Sequence, residues 1–136
     1  MGSMAYYRKQ NKLNNTMKYV LILFFFITTF VSCNAQKIEQ ITLENLKVNA
    51  IGKEVQFIDV RTPEEYAEGH IDNAININIS NVDVFKSEVS KLDKAQPVYL
   101  YCYKGGRSNK ASKILKELGF QTTYDFKGGW KAWSNQ

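Results

Sequence analysis

The sequence predicts an α/β fold built on a mostly parallel sheet. Short apolar runs alternate along the chain with amphipathic stretches, the rhythm of strand and crossover helix. The two strongest strand candidates, Val55–Val60 and Pro97–Tyr101, are near-continuously apolar, as strands covered on both faces are. One stretch between them, from Thr62, carries the complete start signal of a helix.

The elements follow in order. Leu43, Leu46, Val48 and Ile51 hold helical spacing. After the strand Val55–Val60, Thr62-Pro63-Glu64-Glu65 supplies an N-cap hydroxyl, a proline at the first helical position and a glutamate three residues past the cap. Gly69 is expected to stop this short helix in a left-handed conformation. Ile75-Asn76-Ile77-Asn78-Ile79 alternates with period two, a half-buried strand. Val84, Phe85, Val89 and Leu92 return to helical spacing, and Pro97–Tyr101 then runs straight into Cys102. Ser108 to Leu118 reads as a helix with Ala111, Ile114, Leu115 and Leu118 on one face, stopped by Gly119. A short strand over Thr122–Tyr124 precedes Gly128-Gly129 and a terminal turn bearing Trp130 and Trp133, both read as core packing.

Length and composition allow one domain: 136 residues, 44% hydrophobic and 23% charged. The formal charge of +5 is concentrated at the start. Arg8, Lys9, Lys12 and Lys18 precede Cys33 with no acid among them, so 18 − 4 = 14 bases face 13 acids in the rest. Nothing in so balanced a remainder points to nucleic acid.

The basic start, the run of about 13 apolar residues from Tyr19 to Val31, and Ser32 have the layout of a secretory signal peptide. The run is short for a spanning helix, which needs roughly 20 residues. Phe30-Val31-Ser32-Cys33 resembles a bacterial lipobox, which implies lipidation of Cys33 as the mature N-terminus; Phe30 stands where leucine is usual. The alternative is plain cleavage after Ala35. Met1-Gly2-Ser3 has the character of a cloning remnant, and Met1, Met4 and Met17 all remain open as the true start. Residues 1–32 are therefore expected to be leader and upstream sequence, 33–37 a short tether, and 38–136 the folded domain. The expected address is the periplasm, as a monomer anchored to a membrane through lipid on Cys33. With Cys33 so used, Cys102 has no disulfide partner, and an unpaired thiol in an oxidising compartment suggests that its reactivity is what matters.

Cys102 sits where open α/β sheets bind their ligands, at the carboxyl end of a strand. Gly105 and Gly106 let the following backbone curl so that successive N–H groups point inward as an anion nest. The helix beginning near Ser108 adds its positive end, and Lys104 and Arg107 add full charges. All of these favour thiolate, the nucleophilic form. The bland alternative is a buried cysteine ending a strand before an ordinary turn, which leaves two cations in a tight glycine loop unexplained.

Cys102-x-x-Gly105-x-Arg107-Ser108 after an apolar strand resembles the active-site loop of the rhodanese family. Asp59-Val60-Arg61-Thr62-Pro63-Glu64-Glu65-Tyr66 with Gly69-His70-Ile71-Asp72-Asn73-Ala74 resembles that family's N-terminal signature, and Gly128-Gly129-Trp130-x-x-Trp133 its C-terminal one. The resemblance implies a central five-stranded sheet with helices on both faces and a two-stage sulfur transfer. Cys102 would take the outer sulfur of thiosulfate or a similar anion as a persulfide, then pass it to cyanide, a thiol or a protein. Backbone amides from Tyr103 through Ser108, including Gly105 and Gly106, would cradle the persulfide. Arg107, assisted by Lys104, would contact the substrate anion, with Tyr103 at the pocket mouth. From their place at a strand's carboxyl end, near the crevice, Asp59 and Arg61 are expected as a structural ion pair or hydrogen-bond anchor, and His70 as structural. No cofactor or metal is expected. Two alternatives remain: a non-catalytic binding or redox-sensing module, and a phosphatase or arsenate reductase of the same fold. The latter have five residues between Cys and Arg where this loop has four, Tyr103 to Gly106.

Overall fold

The computed structural model describes residues 17–19 and 35–136. Cys33 and nearly all of the expected leader lie outside the described residues, as do the first two residues of the expected tether. Residues 17–19 are helical. The unit Ala35–Gln136 carries every element below.

In chain order these are β1 (Lys37–Ile41), α1 (Leu43–Asn49), β2 (Gln56–Asp59), α2 (Pro63–Glu68), β3 (Ile75–Asn76), α3 (Val82–Val89), β4 (Val98–Tyr101), α4 (Gly106–Glu117), β5 (Thr122–Phe126) and α5 (Gly129–Trp133). The sheet order is β1-β5-β4-β2-β3, and every neighbouring pair is parallel. The alternation of side chains along β2 and β4 divides the core in two. Ile58, Val98 and Leu100 point to one face, where Phe85 and Val89 of α3 and Ala111, Ile114 and Leu115 of α4 cover them. Phe57, Tyr99 and Tyr101 point to the other, against Leu46 and Ala50 at α1, Ile71, Ala74 and the partly buried Trp130 and Trp133. Helices thus cover both faces, as the sequence predicts.

Several details differ from expectation. β1 is an additional strand, starting at Lys37, where the tether was expected to end. β5 runs two residues further than expected, to Phe126, because Asp125 is buried within it and hides its strand character. Burial pushes the Asp125 carboxyl up from its usual range, with the Ser108 hydroxyl and Lys127 opposing. β3 pairs over only two residues; Ile75 is exposed while Ile77 and Ile79 turn into the core. Gly69 closes α2 with φ 158° and ψ 143°, outside the left-handed helical region. Its requirement is one of space, since a Cβ there would meet the Trp130 ring at 2.8 Å. Gly119, at φ +94°, does provide the left-handed stop expected after α4.

Candidate active site

Cys102 follows β4 directly, and its side chain is 2% exposed at the foot of a surface cavity of about 330 Å³. Tyr103, Lys104, Gly106 and Arg107 line the rest of that cavity. Gly105, at φ +92°, turns the chain so that its N–H donates to Cys102 Sγ at 3.1 Å. The left-handed turn suits glycine, and the Lys127 carbonyl would lie 2.8 Å from any Cβ added there. α4 begins at Gly106, two residues before Ser108, with no side chain capping it. Its first N–H groups are therefore left to the loop and whatever enters it.

The Ser108 side chain does not face the cavity. It is fully buried, its hydroxyl donating to the Gly105 carbonyl at 3.2 Å, so it secures the loop from behind. Tyr103 stands at the mouth, 44% exposed, and Lys104 is exposed beside it.

Arg107 departs most from the expected arrangement. The residue lines the cavity, yet both its terminal nitrogens donate to Glu65, Nη1 to Oε2 at 2.5 Å and Nη2 to Oε1 at 2.7 Å. Glu65 is the third residue of α2, where its Oε2 also accepts from Thr62 N–H at 3.1 Å and completes the capping box with the Thr62 hydroxyl. The Arg107 hydrogen bonds hold the Glu65 carboxyl down at about 2, against the opposing effect of its partial burial. The capping role of Glu65 is legible in the sequence; its partner 42 residues away is not.

Asp59 and Arg61 do not line the cavity. Their side chains are 0% and 2% exposed, with Arg61 Nε and Nη2 both donating to Asp59 Oδ2, at 2.9 and 2.7 Å. Arg61 Nη2 also donates to the Gly69 carbonyl at 2.6 Å, and the guanidinium lies 5.0 Å from the Trp130 ring and 5.7 Å from that of Tyr101. This is the structural pair expected, and it ties the start of α2 to the C-terminal turn. His70 stacks on Tyr66 at 3.8 Å with Nδ1 3.0 Å from the Tyr66 carbonyl, outside the lining of the cavity. Tyr101 is buried and its hydroxyl accepts from Ile71 N–H at 3.0 Å.

A further contribution comes from the C-terminal turn. Trp130 N–H donates to the Cys102 carbonyl at 2.8 Å and Lys131 N–H to the Tyr103 carbonyl at 3.0 Å. Gly129, at φ +59°, makes this approach possible, since any Cβ would overlap those two carbonyls. The glycine pair is visible in the sequence; what it presses against is not.

Comparison with known proteins shows the family and the fold. Residues 42–136 match the family model described as a rhodanese-like domain. The uncharacterized protein YqhL of Bacillus subtilis is 35% identical over 124 residues, 91% of this chain and 96% of its own length. The thiosulfate sulfurtransferase GlpE of Shewanella oneidensis is 34% identical over 97 residues, 68% of this chain and 93% of GlpE. Among solved structures, a rhodanese-like domain protein from Staphylococcus aureus superposes with a TM-score of 0.61 at 33% identity, covering 70% of this chain and 90% of that one.

Proposed function

The chain belongs to the rhodanese-like domain family, and on that premise we propose that it is a sulfurtransferase working through a persulfide on Cys102. The observation that carries this is the Gly105 N–H donated to Cys102 Sγ at the foot of an open cavity, with the uncapped start of α4 behind it. An N–H aimed at sulfur can donate to the attacking thiolate, and the same nest suits the terminal sulfur of the persulfide. With thiosulfate, the Cys102 thiolate forms a bond to the outer sulfur. The sulfur–sulfur bond of the donor breaks, and its electron pair leaves on sulfite. A thiol, a protein or cyanide then takes the bound sulfur and regenerates the thiolate. The activity named for GlpE supports a sulfur-bearing anion as donor.

The test is intact mass after incubation with thiosulfate and desalting. A gain of one sulfur atom, removed by cyanide and absent in Cys102→Ser, is expected; no gain with any sulfane donor overturns the proposal. Hydrolysis of a generic aryl phosphate would instead favour the phosphatase alternative.

The address is also proposed. The leader supports export to the periplasm and anchoring of a monomer through Cys33. A diacylglycerol-modified peptide beginning at Cys33 is the expected product of digestion; an unmodified N-terminus after Ala35 overturns it.

A further inference from the structure

We infer that Glu65 sets the donor class, by cancelling the charge of Arg107 so that the site takes sulfur from a singly charged organic persulfide in preference to an inorganic dianion. This rests on the sulfur-transfer function proposed above.

Two cations lie beside Cys102, and the structure treats them differently. Arg107 spends both terminal nitrogens on the two oxygens of Glu65, fork to fork. Glu65 is itself fixed at the third position of α2 by its bond to Thr62 N–H. Swinging Arg107 toward a substrate would leave the Glu65 carboxylate without its partner, which weighs against opening the pair. Beside the cavity the pair therefore adds no net charge. Lys104 is exposed and enters no ion pair among the described residues. When Cys102 attacks as the thiolate, one net positive charge among these side chains faces it.

A dianion entering such a site meets repulsion from the thiolate that only Lys104 and the backbone dipoles offset. A monoanion leaves one charge fewer unbalanced. The cavity also has more room than a small inorganic ion fills, because about 330 Å³ falls in the range that holds organic ligands. Tyr103, 44% exposed at its mouth, offers an aromatic face to an organic group. The step balances without an external oxidant or reductant. The Cys102 thiolate bonds to the outer sulfur of the monoanion R–S–S⁻, the donor's sulfur–sulfur bond breaks, and its electron pair leaves on R–S⁻, so that the transferred sulfur keeps its negative charge on Cys102.

A matched pair of probes tests this: thiosulfate, a dianion, and benzenethiosulfonate, a monoanion whose sulfane sulfur transfers by the same displacement and leaves benzenesulfinate. Loading of Cys102 is followed by intact mass in wild type and Glu65→Gln, which keeps an acceptor for Thr62 N–H. Freeing Arg107 is expected to raise kcat/KM for thiosulfate by about tenfold over any change for benzenethiosulfonate. An unchanged ratio between the two donors, with both still loading, overturns the role of Glu65 and leaves the sulfur-transfer function standing. Loading from neither donor in wild type overturns that function and this inference together. Should Glu65→Gln fail to fold, protection of wild-type Cys102 from iodoacetamide decides. Benzenesulfonate is expected to protect at lower concentration than sulfate, and the reverse order overturns the inference.

Discussion

Protonating or neutralising Glu65 should loosen the domain in a pH-dependent way. Arg107 holds the Glu65 carboxyl down from its ordinary 4.5 to about 2. Unscreened, that displacement corresponds to ~3 kcal/mol of stability at neutral pH. The side chains of Arg107 and Glu65 are 35% and 31% exposed, so water screens the pair and ~1–2 kcal/mol is the realistic contribution. The folded-state value is depressed, so the contribution is complete above the unfolded value of 4.5 and disappears as pH falls toward about 2. Urea unfolding of wild type and Glu65→Gln, compared at pH 7 and pH 3, is the assay. The variant should be less stable by ~1–2 kcal/mol at pH 7, and by less than half of that at pH 3. A difference that does not shrink on acidification would refute the ion pair as its source. No difference at pH 7 would refute the pair's contribution altogether.

Two further perturbations probe the framework. Gly129→Ala forces a side chain onto the carbonyls of Cys102 and Tyr103, and displacing the loop by even ~1 Å should slow sulfur loading about a hundredfold. A folded variant that loads at the wild-type rate would show that the C-terminal turn does not hold the loop. Arg61→Met strands the Asp59 carboxylate at 0% exposure and should cost about 3–5 kcal/mol in urea unfolding, whereas a loss below ~1 kcal/mol would contradict the pair's structural weight.

The contrast between what the sequence announces and what only the fold reveals has a physical basis. Local chemistry is legible: Thr62 and Glu65 cap α2 across three residues, and the apolar run before Cys102 reads as a strand because both of its faces are covered. β1 is hidden because three of its five residues, Lys37, Glu39 and Gln40, are polar and its one partner strand begins 85 positions away, with Lys37 beside Thr122. The family resemblance implies the backbone amide of Ser108 in the cradle and Arg107 on the anion, and is silent on the Ser108 hydroxyl and on Glu65. The fold turns one hydroxyl inward and brings Glu65 against the guanidinium, neither of which the spacing of the loop encodes. Glycines divide in the same manner. The left-handed stop at Gly119 is a local matter, whereas Gly69 and Gly129 answer to an indole ring and a pair of carbonyls distant in sequence.

The clamp from Trp130 and Lys131 has a temporal side. A ribosome makes Cys102 before it makes the two N–H groups that fix the carbonyls of Cys102 and Tyr103. The loop around the nascent thiol therefore lacks this clamp until Gly129 to Lys131 have been made. A chain cut short before Gly129 would contain every residue that lines the cavity and still lack the two N–H groups that fix the carbonyls of Cys102 and Tyr103.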